Sequence, residues 1–200
     1  WICERREEGS SEILSAEGYQ LLLANTQNYA KEELKYLRIF RKNQVDGIIF
    51  MGTIFSKEHL KLMKELEVPI VIAAQELDNY SCVYQDDYHA AYEAAKLLLK
   101  KGTHFGYIGV TQKDKAVGEA RKAGFLDALK DSGVKAARRC MDETEFKVEG
   151  GYEKARELME QNPETDSIFC ATDSLAAGAL RYLHEQGIEV PGQVQILGFG

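Results

Sequence analysis

Six residues in this chain have the chemistry to hold a polar small molecule: Asp86, Lys115, Arg121, Phe146, Thr172 and Asp173. A guanidinium presents a rigid fork of donors, and carboxylates and hydroxyls pair with vicinal hydroxyl groups. An aromatic face covers the apolar side of a pyranose ring. Together these are the groups a sugar requires. Each residue also has a purely structural reading. Arg121 fits a helix-surface charge, Phe146 a core residue under a loop, Asp86 a helix cap, and Thr172-Asp173 a cap for the helix that follows them.

Other chemistries find no footing. There is no Gly-x-x-x-x-Gly-Lys-Ser/Thr phosphate loop, no Gly-x-Gly-x-x-Gly after a strand, and no Gly-x-Ser-x-Gly elbow. His59, His89, His104 and His184 stand in no metal-ligand spacing and beside no nucleophile. They read as solvated or partly buried residues. Cys3, Cys82, Cys140 and Cys170 form no Cys-x-x-Cys pair and read as buried free thiols of a reducing compartment. The expectation is a non-enzyme with no cofactor and no metal.

Composition narrows the partners. The 200 residues carry a net charge of −7, and the basic pairs Arg5-Arg6, Arg41-Lys42, Lys100-Lys101, Arg121-Lys122 and Arg138-Arg139 are scattered. Clustered cations are what a nucleic-acid surface needs, so this segment is not expected to bind DNA by itself. Hydrophobic residues at 44% and charged residues at 28% suit a soluble globular chain long enough for one large domain or two lobes. No apolar run reaches the ~20 residues of a membrane span.

The elements that must position these residues follow from spacing. The stretch 166–200 reads as strand 167–170, polar turn, helix and strand. Thr172, Asp173 and Ser174 can each cap the helix, and Leu175, Ala176, Ala179, Leu180 and Leu183 recur at helical spacing. Gly187 ends the helix, Pro191 cannot continue it, and Ile196-Leu197 opens a buried strand. This is one βαβ unit, right-handed, with ligands expected where strands end and helices begin. Upstream, the pattern predicts a helix in 1–17 closed by Gly18, a strand at 19–25, and a helix over 29–43 with Leu34, Leu37 and Phe40 inward. A strand at 45–51 follows, then a helix over 56–66 with Leu60, Met63 and Leu66 inward, a strand at 68–74 and a short run at 82–84. Asp86-Asp87 open a helix burying Tyr88, Ala91, Tyr92, Ala95, Leu98 and Leu99, closed by Gly102. Then come strand 104–110, loop 111–117, helix 118–131, a weak strand near 137–141, the Phe146 loop and helix 150–161. Such strict β-α alternation points to parallel sheets with helices on both faces. A lobe boundary is expected near 84–86, dividing 1–85 from 86–200.

Four motifs carry a resemblance. Val45-Asp46-Gly47-Ile48-Ile49, Arg121-Lys122-Ala123-Gly124-Phe125-Leu126-Asp127-Ala128-Leu129, Ala171-Thr172-Asp173-Ser174-Leu175-Ala176-Ala177-Gly178-Ala179 and Val190-Pro191-Gly192-Gln193-Val194-Gln195-Ile196-Leu197-Gly198-Phe199 stand in the order and spacing of the lactose-repressor family of bacterial transcription regulators, which the chain resembles over 18–200. The resemblance implies an α/β, periplasmic-binding-protein-like fold of two Rossmann-like lobes around a cleft. It implies a cytoplasmic homodimer that binds a small effector, often a sugar or nucleobase, and meets operator DNA only through a helix-turn-helix headpiece absent from this chain. Carried over by position, Arg121 is the ligand-clamping arginine, Phe146 the stacking aromatic, Thr172 and Asp173 the C-lobe wall, and Gln75 a group at an N-lobe strand end facing the cleft. The family's first N-lobe strand and its closing segments are absent, and Gly200 stands where many members have Asp. A sugar-binding protein of a transport system, exported and monomeric, is the alternative.

Overall fold

The computed structural model describes residues 2–134 and 141–200. Its strands form two separate parallel sheets, each with its own apolar core.

In the first half, α1 (Ile2–Ala16) is closed as expected by Gly18, whose φ of +80° suits a residue without a Cβ. Helix α2 (Ala30–Lys42) has Glu32 and Glu33 in its first turn and Arg41 and Lys42 in its last, each matched to the helix dipole. Helix α3 (Lys57–Glu65) opens on Ser56, whose hydroxyl accepts from the His59 N–H while the His59 ring accepts from the Ser56 N–H. Strands β1 (Ile48–Phe50), β2 (Ile70–Ala73) and β3 (Ser81–Val83) run in that order, with Ile49 opposite Val71 and Ile72 opposite Cys82. Leu34, Leu37, Phe50, Leu62, Met63, Leu66 and Ile72 fill the core; Leu60 is only half-buried.

Two expectations fail here. Residues 19–25 form no strand. Tyr19, Leu22 and Leu23 are more than half exposed, and no neighbouring strand among the described residues takes up the backbone groups of this run. Apolar composition cannot make a strand without a partner edge. His59 is fully enclosed rather than solvated. Its Nδ1 lies 2.8 Å from Ser56 Oγ and its Nε2 3.0 Å from Glu33 Oε2. Burial pushes the Glu33 carboxyl up from its ordinary value, with the facing His59 pulling the other way. The pair ties α2 to α3.

In the second half, α4 (Asp87–Leu98), β4 (Phe105–Gly109), α5 (Arg121–Asp131), β5 (Met141–Glu143), α6 (Val148–Gln161), β6 (Ser167–Cys170), α7 (Asp173–Glu185) and β7 (Gln195–Leu197) build a sheet of order β5-β4-β6-β7, all parallel. Helices α4 and α5 pair on one face and α6 and α7 on the other. Each pair meets backbone to backbone. A Cβ on Gly124 of α5 would collide with the Tyr88 carbonyl of α4, and one on Gly178 of α7 with the Val148 carbonyl of α6. Between the faces, Tyr107, Phe125 and Phe169 form an aromatic triangle with centroids 5.2–5.7 Å apart.

The helix expected from 118 begins earlier. A π-helical turn at Lys115–Ala120, capped by Asp114 through a 2.8 Å bond from the Val117 N–H, leads directly into α5. Leu180 is 47% exposed, because it lies about 100° around α7 from the inward Leu175, Ala179 and Leu183; Tyr182 is buried in its stead. Gly187, with φ of +69°, closes α7 as expected. Cys170 is buried in β6, and burial pushes its thiol up to about 12, which makes it inert. Cys82 is half-buried; Cys140, most of the strand expected at 137–141 and the Cys3 side chain lie outside the described residues.

At the amino-terminal edge of this sheet Asp166 staples β4 to β6. It accepts from the Thr103 hydroxyl at 2.6 Å, the Thr103 N–H at 2.9 Å and the His104 N–H at 3.1 Å. Burial alone would raise its carboxyl, but these hydrogen bonds outweigh it and hold the group below its ordinary value. Its contribution is therefore present above the unfolded-state pKa of about 3.9 and lost as pH falls through the lower folded value. Asp166→Asn should lower the unfolding free energy by about 1–2 kcal/mol at pH 7, and the difference from wild type should shrink as pH falls below the unfolded-state value of about 3.9. Urea unfolding across this pH range checks this.

Candidate functional site

The strand order decides where a ligand can enter. The chain leaves β4 through α5 to β5 on one side, then returns through α6 to β6 on the other. The loops beyond β4 and β6 therefore part at their carboxyl ends, the switch point at which open α/β sheets bind ligands.

Arg121, the first residue of α5, reaches that point. Its Nε donates to Asp87 Oδ1 at 2.7 Å, and its Nη1 donates to the Ala171 carbonyl at 2.6 Å and the Phe199 carbonyl at 3.1 Å. Its Cζ lies 4.1 Å over the Phe199 ring. One buried side chain thus joins the start of α4, the end of β6 and the end of β7. Nη2 makes no hydrogen bond among the described residues, which leaves one edge of the fork for an incoming acceptor. Asp114 is buried at the head of the π-helical turn. Burial pushes its carboxyl up against the pull of the N–H groups of Val117, Gly118 and Ala116 and of the Arg121 charge.

Around this clasp, Thr172 caps α7 through its hydroxyl, which accepts from the Leu175 N–H at 3.2 Å. Asp173 is exposed, with its carboxylate lying against Gly198 and Gly200; a Cβ on Gly200 would collide with Asp173 Oδ2. Phe146 stands in the loop between β5 and α6 with about a third of its surface open, not in the core. Arg121 is held at the carbonyl of Ala171, the residue before Thr172 and Asp173 in the chain, so these three gather at the carboxyl end of β6.

The other three candidates are engaged locally. Asp86 caps α4 and lies 2.6 Å from the His89 ring, and the His89 backbone and ring bonds hold its carboxyl below its ordinary value. Lys115 pairs with Glu119 within one helical turn. Gln75 is buried and donates to the Gly52 carbonyl, bracing the loops beyond β1 and β2. Asp87, which the sequence did not single out, is the carboxylate that meets Arg121. Two adjacent aspartates opened α4, and nothing local told the cap from the buried partner. Phe199 beneath the guanidinium was likewise visible only as part of a strand motif.

Residues 7–199 match the family of periplasmic binding proteins and the sugar-binding domain of the LacI family. The chain belongs to that family. It is 33% identical to the HTH-type transcriptional regulator DegA of Bacillus subtilis over 96% of its own length and 57% of that protein. It superposes on the transcription regulator CcpA of Lactococcus lactis with a TM-score of 0.86 at 27% identity, covering 96% of this chain and 70% of that one. A transcriptional regulator CelR–cellobiose complex matches with a TM-score of 0.83 at 25% identity, covering 92% of this chain and 57% of that one. The chain spans just over half the length of the curated relatives it matches. The periplasmic-binding-protein-like α/β fold expected from the motifs is the one observed.

The motifs of this LacI-family domain acquire physical reasons. In Arg121-x-x-Gly124-Phe125, the arginine makes the clasp, the glycine lets α5 touch α4, and the phenylalanine completes the aromatic triangle. In Asp173-x-x-Ala176-x-Gly178, Ala176 packs against Gly198 and Gly178 against the α6 backbone.

Arg121 and Asp87 are each more than nine-tenths buried, so removing one leaves the other an uncompensated charge. Arg121→Ala should therefore lower the unfolding free energy by about 3–5 kcal/mol in urea titration, before any effect on binding is counted.

Proposed function

We propose that this chain is the effector-binding and dimerisation domain of a LacI-type transcriptional regulator. Residues 1–85 and 86–200 form the two lobes, and a sugar is bound between them to control operator binding by a helix-turn-helix headpiece. The observation that carries the reading is the Arg121 clasp at the switch point, with one fork edge unbonded, on the same carboxyl edge of the sheet as the loops that hold Phe146, Thr172 and Asp173. These are the donors, acceptors and stacking face of a sugar site. A relative solved with cellobiose supports the ligand class. A ligand touching both lobes favours the closed arrangement by the difference between its affinities for the two states, and no further. The relatives are transcriptional regulators, so the domain is assigned to the cytoplasm.

Arg121 is a poor first probe because its loss also weakens the fold. Phe146 is a better one, being exposed at a loop. In a thermal-shift series with glucose, cellobiose, sucrose and trehalose, their phosphates, and nucleobases, one sugar should raise the midpoint progressively with the logarithm of its concentration. Phe146→Ala should leave the ligand-free midpoint unchanged and weaken that sugar about tenfold, the order of one lost ring contact. A midpoint raised only by nucleobases would overturn the sugar reading.

A further inference from the structure

Tyr107 lies at the centre of β4 and is 1% exposed, yet its hydroxyl has no hydrogen-bond partner among the described residues. An unmet buried hydroxyl is unfavourable, and a phenylalanine would fill the same triangle with Phe125 and Phe169 without it. The ring runs along the strand toward the carboxyl edge. A Cβ on Gly109 would stand 2.9 Å from the hydroxyl and collide with the ring, so a glycine two residues on is what lets the phenol reach forward. In the register, Ile108 is opposite Cys170, which sets Gly109 level with Ala171, the residue whose carbonyl holds Arg121. The hydroxyl therefore rises to the level of the guanidinium, on the face where Phe125 and Arg121 of α5 pack.

Burial pushes the phenol well above its ordinary range, with the Arg121 charge opposing, so it stays protonated and can donate. Arg121 is already neutralised by Asp87 at 2.7 Å, and Asp173 adds a negative charge nearby. That balance suits a neutral hydroxyl and disfavours a phosphate.

We propose that the Tyr107 hydroxyl is the floor of the ligand site and hydrogen-bonds a neutral ligand hydroxyl that Arg121 Nη2 also reaches. The assignment rests on the sugar-site reading above. It makes Tyr107 a determinant of specificity for free sugars over sugar phosphates.

Tyr107→Phe separates the possibilities, because it removes one oxygen and no packing volume. The variant is compared with wild type and Phe146→Ala by thermal melting and by titration with glucose, cellobiose, trehalose, sucrose and glucose 6-phosphate. The expected result is a ligand-free midpoint equal to or above wild type, and about tenfold weaker binding of the sugar that wild type binds. Retained affinity in Tyr107→Phe with a loss in Phe146→Ala would sink this proposal and leave the site reading intact. Retained affinity in both would sink the two together, as would tighter wild-type binding of the phosphate than of any free sugar. If no sugar in the set binds, the melts alone decide. A midpoint several degrees below wild type would show a structural hydroxyl and end the proposal, whereas an equal or higher midpoint supports a hydroxyl held for a ligand.

Discussion

The second half of the molecule depends on one buried cation. Arg121 carries its charge into a site where almost no water reaches it, and Asp87 and two main-chain carbonyls answer it there. Removing an arginine from water is unfavourable unless every bond is well made, so the three elements that supply those bonds are held in fixed relation. They are the start of α4 and the ends of β6 and β7. A site built on such a clasp is preorganised: its geometry is set by folding and does not wait for a ligand.

The two halves use charge differently at their centres. The second sheet places its ion pair at the carboxyl edge, with one guanidinium edge left over. The first half places His59 and Glu33 inside, between α2 and α3, as a charge pair 3.0 Å apart. The first arrangement leaves hydrogen-bonding capacity unspent, and the second spends it on joining two helices.

What could be read in advance was local. Gly18 and Gly187 close their helices, Thr172 caps α7, and the apolar runs at 48–50, 70–73, 105–109 and 167–170 are strands. These follow from periodicity and end signals a few residues long. The failures all needed information from elsewhere in the chain. Leu21-Leu22-Leu23 has the composition of a strand, but strandedness belongs to a pair of edges. His59 is enclosed because Glu33 faces it from another helix. Asp87 and Asp86 are indistinguishable until Arg121 arrives from α5. The π-helical turn at Lys115–Ala120 is set by how Gly118 fits against the Thr111 carbonyl, which no spacing rule anticipates. The motifs Arg-x-x-Gly-Phe and Asp-x-x-Ala-x-Gly compress such long-range fits into short patterns: the arginine meets Asp87, and the glycines meet the backbones of neighbouring helices.

The glycines at 124 and 178 have a mechanical consequence. Where two helices touch through main chain, one cannot slide along the other, because the next side chain along the path would strike a carbonyl. Shear between α4 and α5, or between α6 and α7, is thereby blocked. Each helix pair therefore keeps its register, and the carboxyl edge of the second sheet, with the Arg121 clasp on it, is framed by two slabs whose members do not slide.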